Sequence, residues 1–155
     1  MELCFYEDQY KETIEQYQIT EDQLRYTGSP IESMALVNAD SDRYAILAIE
    51  GGELVTYFNL HKNEGVKPYS TNPKAILLRT FSTDFRHLGK GYAKQALKLL
   101  PSFVKQYFED INEIVLAVNL QNEVAQNLYN KTGYVDEGER RMGNKGELII
   151  MSYFL

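Results

Sequence analysis

Two short stretches of this sequence combine residue types and spacing that could do chemistry. The first is Arg86-x-x-Gly89-x-Gly91, set between an apolar run and a helical stretch. Glycine lets a backbone pass close to a ligand with no Cβ in the way. A helix start leaves several amide N–H groups unpaired at the positive end of its dipole. Together these make a phosphate site, to which Arg86, His87 and Lys90 add positive character. No Gly-Lys-Ser/Thr follows, so the turn is not a P-loop, and Lys94 stands where a dinucleotide fingerprint needs its third glycine. The second stretch runs from Asn119 to Tyr134 and reads Asn-Leu-Gln-Asn-Glu-Val-Ala-Gln-Asn-Leu-Tyr-Asn-Lys-Thr-Gly-Tyr. It follows an apolar strand pattern, and Asn122 sits where an N-cap belongs.

Each feature also has a purely structural reading. Strand-to-helix turns use glycine whether or not they bind anything, Asn122 could cap its helix and do nothing else, and Tyr129 is one of 12 tyrosines, whose rings usually pack. The two stretches gain weight together. Arg86-x-x-Gly89-x-Gly91 before a helix, followed by Asn122-x-x-Ala125-x-x-Leu128-Tyr129-x-Lys131-x-Gly133-Tyr134 after a strand, resembles the GNAT superfamily of acetyl-coenzyme-A-dependent N-acetyltransferases.

That resemblance implies roles. The turn Arg86, His87, Leu88, Gly89, Lys90, Gly91, Tyr92 and Ala93 would hold the coenzyme A pyrophosphate, with the Gly89–Ala93 amides as donors. The backbone of Phe81, Ser82 and Thr83 would pair with the pantetheine arm as an added strand. Phe81 and Thr83 stand where many family members have a small aliphatic residue and a proline, which backbone pairing tolerates. Asn119 and Asn122 would border the coenzyme, and Tyr129 would direct its phenol at the thioester sulfur as the catalytic acid. The implied reaction is direct attack of a neutral amine on acetyl-CoA, used as co-substrate with no metal. The acceptor would be an amine of a small molecule or peptide, and dimerisation through the last strands is compatible with the family. Two rival readings are a coenzyme-A-binding module without transfer activity and a structural domain whose glycine turn binds nothing.

Direct attack makes a demand on the site. An alkylamine with a pKa near 10.4 is neutral to about one part in 2,500 at pH 7, and deprotonating it costs roughly 4.6 kcal/mol. A base or a water chain must therefore serve it. Glu50, His61 and Asp84 are the candidates, none singled out by its pattern. The aromatic N-terminal third (Phe5, Tyr6, Tyr10, Tyr17 and Tyr26) could wall the acceptor site or belong to the core.

The elements that must position these residues follow from periodicity. Leu3–Tyr6 reads as a strand, and Tyr10, Ile14 and Tyr17 recur at helical spacing. Thr20 with Gln23 is a capping box opening a short helix that Gly28-Ser29-Pro30 stops. Tyr44–Ile49 and Leu54–Phe58, joined across Gly51-Gly52, predict a hairpin. Residues 61–72 read as a loop, and Ala75–Phe81 as a third strand. Ala93, Leu97, Leu100, Val104 and Phe108 form one helical stripe, with Pro101 predicting a kink or break near Lys98–Leu100. Ile114–Val118 is a buried-type strand. Val124, Leu128 and Thr132 mark the inner face of the next helix, which Gly133 ends. Tyr134–Gly138 and Leu148–Leu155 are strands around a turn region at Arg140–Lys145. Strand–helix–strand over Phe81–Val118 implies a parallel crossover. The predicted fold is therefore α/β, a mixed and mostly antiparallel sheet of the GNAT kind. It has one splayed parallel pair and helices on both faces.

Composition sets the bounds. At 155 residues the chain is one domain's length, so 1–155 is expected to be a single acetyltransferase domain. Sixteen basic and 22 acidic residues leave a net charge of −6, which argues against nucleic acid as a partner and mildly favours a cationic acceptor such as a polyamine. The lone Cys4 cannot form an internal disulfide and reads as a small buried hydrophobe, and His61 with His87 make a poor metal site. No basic leader or 18-residue apolar run occurs, so a soluble cytoplasmic protein with no membrane contact is expected.

Overall fold

The computed structural model describes residues 1–155. Seven strands form one sheet: β1 (Glu2–Phe5), β2 (Arg43–Glu50), β3 (Glu53–His61), β4 (Ala75–Thr83), β5 (Glu113–Asn119), β6 (Val135–Gly143) and β7 (Gly146–Phe154). Their order across the sheet is β1-β2-β3-β4-β5-β7-β6. Every pairing is antiparallel except β4 with β5, as the crossover predicts. Five α-helices accompany them: α1 (Lys11–Glu15), α2 (Glu21–Leu24), α3 (Pro30–Ala39), α4 (Tyr92–Tyr107) and α5 (Glu123–Lys131). None is long and apolar enough to cross a membrane.

The near-continuous apolar runs of β2 to β5 follow from burial on both faces. Ile46, Phe58, Ile76, Leu78, Ile114 and Leu116 pack on one face against Leu97, Leu100 and Val104 of α4 and Tyr129 of α5. On the other face, Ala45, Leu47 and Tyr57 meet Ile14 of α1 and Met34 and Val37 of α3, while Leu77 and Val115 meet Val66 of the β3–β4 connection. Gly51 and Gly52 take φ of 58° and 81° in the β2–β3 turn, the left-handed pair that a tight hairpin requires.

Several expectations need correction. Gly28-Ser29-Pro30 ends α2 but also opens α3, where Ser29 Oγ accepts the Glu32 amide at 3.2 Å and Pro30 fills the first turn. Helix α4 runs unbroken through Pro101; the proline forfeits one bond to the Leu97 carbonyl, and the buried stripe holds the helix together. Val124 is 82% exposed, and the inner face of α5 is Ala125, Leu128 and Tyr129. Strand β6 continues to Gly143, so the turn is only Asn144-Lys145. Its solvated face gives no apolar alternation, and a bulge near Gly138 (φ 98°) disrupts the period.

The parallel pair is short. β4 and β5 are in register only from Ala75↔Glu113 to Leu78↔Leu116. Beyond that, β4 stays with β3 to Thr83 and β5 stays with β7 to Asn119, so the two strands splay apart. At the parting point Thr80 adopts φ 56°, beside a register shift between Tyr57 and Asn59. A β-branched residue in that region is strained, and the bulge it makes turns β4 away from β5.

Candidate active site

The splay opens a cleft of about 600 Å³. Its walls include Thr80, Phe81 and Ser82 of β4, Val118 and Asn119 of β5, and Asn122 and Tyr129 of α5. Five residues singled out by sequence pattern thus meet there: Phe81, Ser82, Asn119, Asn122 and Tyr129. Between the diverging strands, residues 79–83 and 117–119 have no strand partner on their facing edges, which is the geometry an extended ligand completes as an added strand.

β4 delivers the chain into the glycine turn. A single 3₁₀ turn at Phe85–His87 follows, then Gly89 and Gly91, each with φ 78°. The amides from Gly89 to Lys94 donate to no carbonyl or side chain, and the first helical bond of α4 is Gln95 N–H to the Gly91 carbonyl at 3.1 Å. Six free N–H groups at the start of a 16-residue helix form an anion cradle. These residues lie beyond the cleft wall, where β4 ends.

The side chains of the turn do other work. Arg86 donates to Asp84 through Nε (3.0 Å) and Nη2 (2.8 Å), and Nη2 also reaches the Gln16 carbonyl at 3.3 Å. His87 turns toward the ring of Tyr92 and toward Glu53, with its Nδ1 buried and unpartnered. Tyr92 packs on Ala48, Val55 and Ala96. Leu88 and Lys90 are exposed, and the Thr83 hydroxyl lies buried 3.0 Å from that of Thr56. An anion at this turn would therefore meet backbone amides and not these side chains. Ser82 and Thr83 also share their carbonyls with the N-terminal segment, through the Tyr17 hydroxyl (2.8 Å) and Gln23 Nε2 (2.7 Å).

Two asparagines divide the labour on the opposite wall. Asn122 Oδ1 accepts the Ala125 amide at 3.3 Å, leaving its amide nitrogen free at the cleft, so capping and ligand contact are compatible. Asn119 spends its side chain on structure: Nδ2 donates to the Lys145 carbonyl (2.7 Å) and Oδ1 accepts the Gln121 amide (2.9 Å). It pins the β6–β7 turn to the cleft. Tyr129 is 9% exposed, lies edge-on to Phe81 at 6.3 Å, and packs against Tyr134. Burial pushes its phenol above the ordinary value, which keeps it protonated at neutral pH and makes it a weaker acid than a solvated tyrosine.

None of the three base candidates lines the cleft. Asp84 is fully buried and accepts from the Gln18 and Arg86 amides as well as the Arg86 guanidinium. Burial alone would raise its pKa; the hydrogen bonds outweigh burial and hold the carboxyl below its ordinary value. Glu50 pairs with the Met1 ammonium at 2.9 Å. His61 sits at the far end of β3, bonded to Asp40 and Arg79. Of the five aromatic residues that could wall an acceptor site or belong to the core, only Tyr26 reaches the cleft. Phe5 and Tyr17 join the core, and Tyr6 and Tyr10 flank it, because their elements lie along the sheet rather than across its splay. Sequence reasoning missed Arg79 and Thr80, which read only as part of an apolar strand.

Comparison with known proteins agrees with this geometry. The family model described as acetyltransferase (GNAT) family matches residues 4–134. The chain is 40% identical over 154 residues to a Bacillus subtilis (strain 168) protein described as uncharacterized N-acetyltransferase YbbJ, covering 99% of this chain and 96% of that one. Among solved structures, AAC(6')-Ib in complex with paromomycin and acetyl-CoA superposes with a TM-score of 0.80 at 16% identity, over 98% of this chain and 92% of that one. A spermidine N-acetyltransferase SpeG chimera from Vibrio cholerae and hSSAT gives 0.72 at 19% identity, over 99% and 96%. With a splayed β4–β5 pair, a backbone anion cradle at the start of α4 and a family model covering most of its length, the chain belongs to the GNAT family of acetyltransferases.

Proposed function

We propose that this chain, acting as one catalytic domain over 1–155, transfers the acetyl group of acetyl-CoA directly to an amine of a small molecule or peptide. The observation that carries the reading is the continuity of β4: one strand borders the cleft and then feeds six free amides at the start of α4. The amides of Gly89 to Lys94 would take the pyrophosphate, the edges of residues 79–83 and 117–119 the pantetheine arm, and Asn122 Nδ2 a polar group along it. The phenol of Tyr129 would protonate the departing thiolate. With Glu50, His61 and Asp84 turned elsewhere, the acceptor's proton leaves through water in the cleft, whose only carboxylates are Asp22 and Glu123 on the rim.

The test is a melting curve with and without acetyl-CoA at about a hundred times its Kd. Binding to the native state adds about 2.7 kcal/mol, roughly 5–11 °C for a chain of this size. Gly91→Glu should abolish the shift, while Gly91→Asn, which tolerates the left-handed conformation, should retain most of it. Tyr129→Phe should keep the shift yet lose about a hundredfold in acceptor-dependent thiol release. No shift with the parent protein would refute the reading, and an unaffected rate in Tyr129→Phe would remove the phenol from it.

A further inference from the structure

A second cavity of about 290 Å³ adjoins the cleft on the face of the sheet that carries Leu77 and Ala117. The two share Arg79, Thr80, Ala117 and Asn119 at the parting of β4 and β5. They also share Thr27, and the remaining wall of the cavity includes Tyr69 and the β6–β7 turn at Gly143–Lys145. A molecule there would face whatever lies along the residues shared with the cleft.

The charge of this cavity runs against that of the chain. The protein carries 22 acidic and 16 basic residues, yet the cavity is lined by Arg79 and Lys145 and by no aspartate or glutamate. Arg79 makes one side-chain hydrogen bond, from Nη1 to His61 Nδ1 at 3.3 Å. His61 Nε2 in turn lies 2.8 Å from Asp40 Oδ2. The charge of Arg79 is thus unmatched by any carboxylate at ion-pair distance. Lys145 spends its ammonium on the Leu24 carbonyl (2.7 Å).

Behind Arg79 lies a second guanidinium. Arg43 is 7% exposed and donates to Asn59 Oδ1 (2.7 Å) and Thr80 Oγ1 (3.2 Å), both neutral. Burial and the nearby Arg79 hold its pKa down to about 10, against a smaller opposing pull from Tyr57 and the Asp40 carboxylate. Buried arginines are ordinarily matched by a carboxylate; the nearby carboxylate, Asp40, is bonded to His61 and forms an ion pair with neither guanidinium, so positive potential is left on this wall. On the same wall the hydroxyl of Thr27 is buried with no hydrogen-bond partner.

We infer that this cavity receives the acceptor, and that the acceptor carries an anionic group, a carboxylate or a phosphate, which pairs with Arg79 while its amine faces the cleft. The inference rests on the acetyltransferase reading and narrows it. A planar guanidinium matches either group with two parallel N–H donors, and the Thr27 hydroxyl supplies a further polar contact. A cationic lining also disfavours the ammonium form of a bound amine, which suits a site with no base in reach. Polyamines and other polycations, which the chain's net charge favours, would meet like charge here.

Matched acceptor pairs test this. Initial rates of thiol release from acetyl-CoA would be measured for amino acids against their carboxamides, for O-phosphoethanolamine against ethanolamine, and for spermidine. Melting with acetyl-CoA runs alongside as the control for donor binding. The expected result is at least a tenfold preference in kcat/KM for one anionic member over its neutral partner, and the arm that shows it tells carboxylate from phosphate. Arg79→Gln should erase the preference by raising KM for the anionic acceptor at least tenfold, with KM for the neutral partner little changed. Arg79→Lys should restore part of it, and Lys145→Met, at an exposed turn, should weaken it less. Preference for the neutral partners or for spermidine, or no use of any anionic amine by a protein that binds acetyl-CoA, would overturn the inference and leave the acetyltransferase reading intact. So would an Arg79→Gln effect confined to kcat. Failure to bind acetyl-CoA at all would remove both.

Discussion

Four hydrogen bonds converge on the carboxylate of Asp84, and they tie two stretches of chain to the end of β4: Gln18 of the N-terminal segment, and Arg86 through both its backbone and its guanidinium. Through Arg86 the link continues to the Gln16 carbonyl. The residue holds the glycine turn in place without touching a ligand. Its folded pKa lies below the ordinary carboxylate value, so the native state binds fewer protons than the unfolded chain near pH 4. Stability from this source is therefore fully present above the unfolded pKa of about 3.9 and is lost as pH falls through the lower folded value. Asp84→Asn should cost about 2 kcal/mol at pH 7, a fall in Tm of roughly 4–8 °C. The gap to the parent protein should stay constant down to about pH 5 and close below pH 4; a gap that persisted there would show that shape, not charge, sets the effect. The sequence offered Asp84 as one of three base candidates because it sits beside the expected thioester site. Its commitment to Gln18, 66 positions away, is a tertiary fact that no local pattern encodes. The same holds for Arg79, whose unmatched charge becomes visible only when every carboxylate around it has been placed.

At the scale of elements, the readable parts are those whose signal is local. Strands β2 to β5 announce themselves as apolar runs, the β2–β3 turn as a glycine pair, α2 as a capping box and α4 as a stripe. The box on α2 is present in full, with Gln23 N–H donating to Thr20 Oγ1 and Thr20 N–H to Gln23 Oε1. Helix α3 was legible in principle, since Ser29-Pro30-x-Glu32 has a cap, a first-turn proline and an early acid. Reading Gly28-Ser29-Pro30 only as a terminator hid it, because the same three residues end one helix and start the next. Its register could not be read from hydrophobicity, for Ile31 and Leu36 on α3 are exposed while Ser33 is buried. Ser33 bonds Asn59 Oδ1 at 2.7 Å and lies 2.9 Å from the Tyr57 hydroxyl, a polar contact inside an apolar layer. The cap carries a measurable share of this helix. Ser29→Ala should cost about 1 kcal/mol, a drop in Tm of roughly 2–4 °C, with the acetyl-CoA shift unchanged because α3 lies on the sheet face away from α4 and α5. A change in that shift would mean that α3 bears on the donor site. Strand β6 was legible only in part for a different reason: an edge strand with both faces near solvent has no alternation to show.

Taken as a whole, the molecule is a rigid sheet with a slender cover strapped across the end of its splayed pair. Residues 8–24 contribute a 3₁₀ turn and two helices of five and four residues, far below the length at which a helix holds itself together. What holds them is a set of contacts to the cleft rim: the Tyr17 hydroxyl to the Ser82 carbonyl, Gln23 Nε2 to the Thr83 carbonyl, the Gln18 amide to Asp84, and Lys145 Nζ to the Leu24 carbonyl. The Phe85 amide returns to the Gln18 carbonyl at 2.7 Å. Each of these contacts lies beside groups that a ligand in the cleft would use. Local stability should therefore divide sharply. In the free protein, amides of β2, β3 and the paired stretch of β4 and β5 (75–78 and 113–116) should exchange only with global unfolding, while those of residues 8–24 should exchange far faster, through opening of the cover alone. On the proposed reading, acetyl-CoA would lie against the strand edge that the cover also grips. Its binding should slow exchange in residues 16–24 and 79–83 well beyond the change seen in β1 or β6, which are remote from the cleft. Hydrogen exchange with and without acetyl-CoA decides it. Equal protection of cover and sheet in the free protein would mean the strap is part of the core, and uniform slowing across the chain would reduce the effect to global stabilisation by mass action.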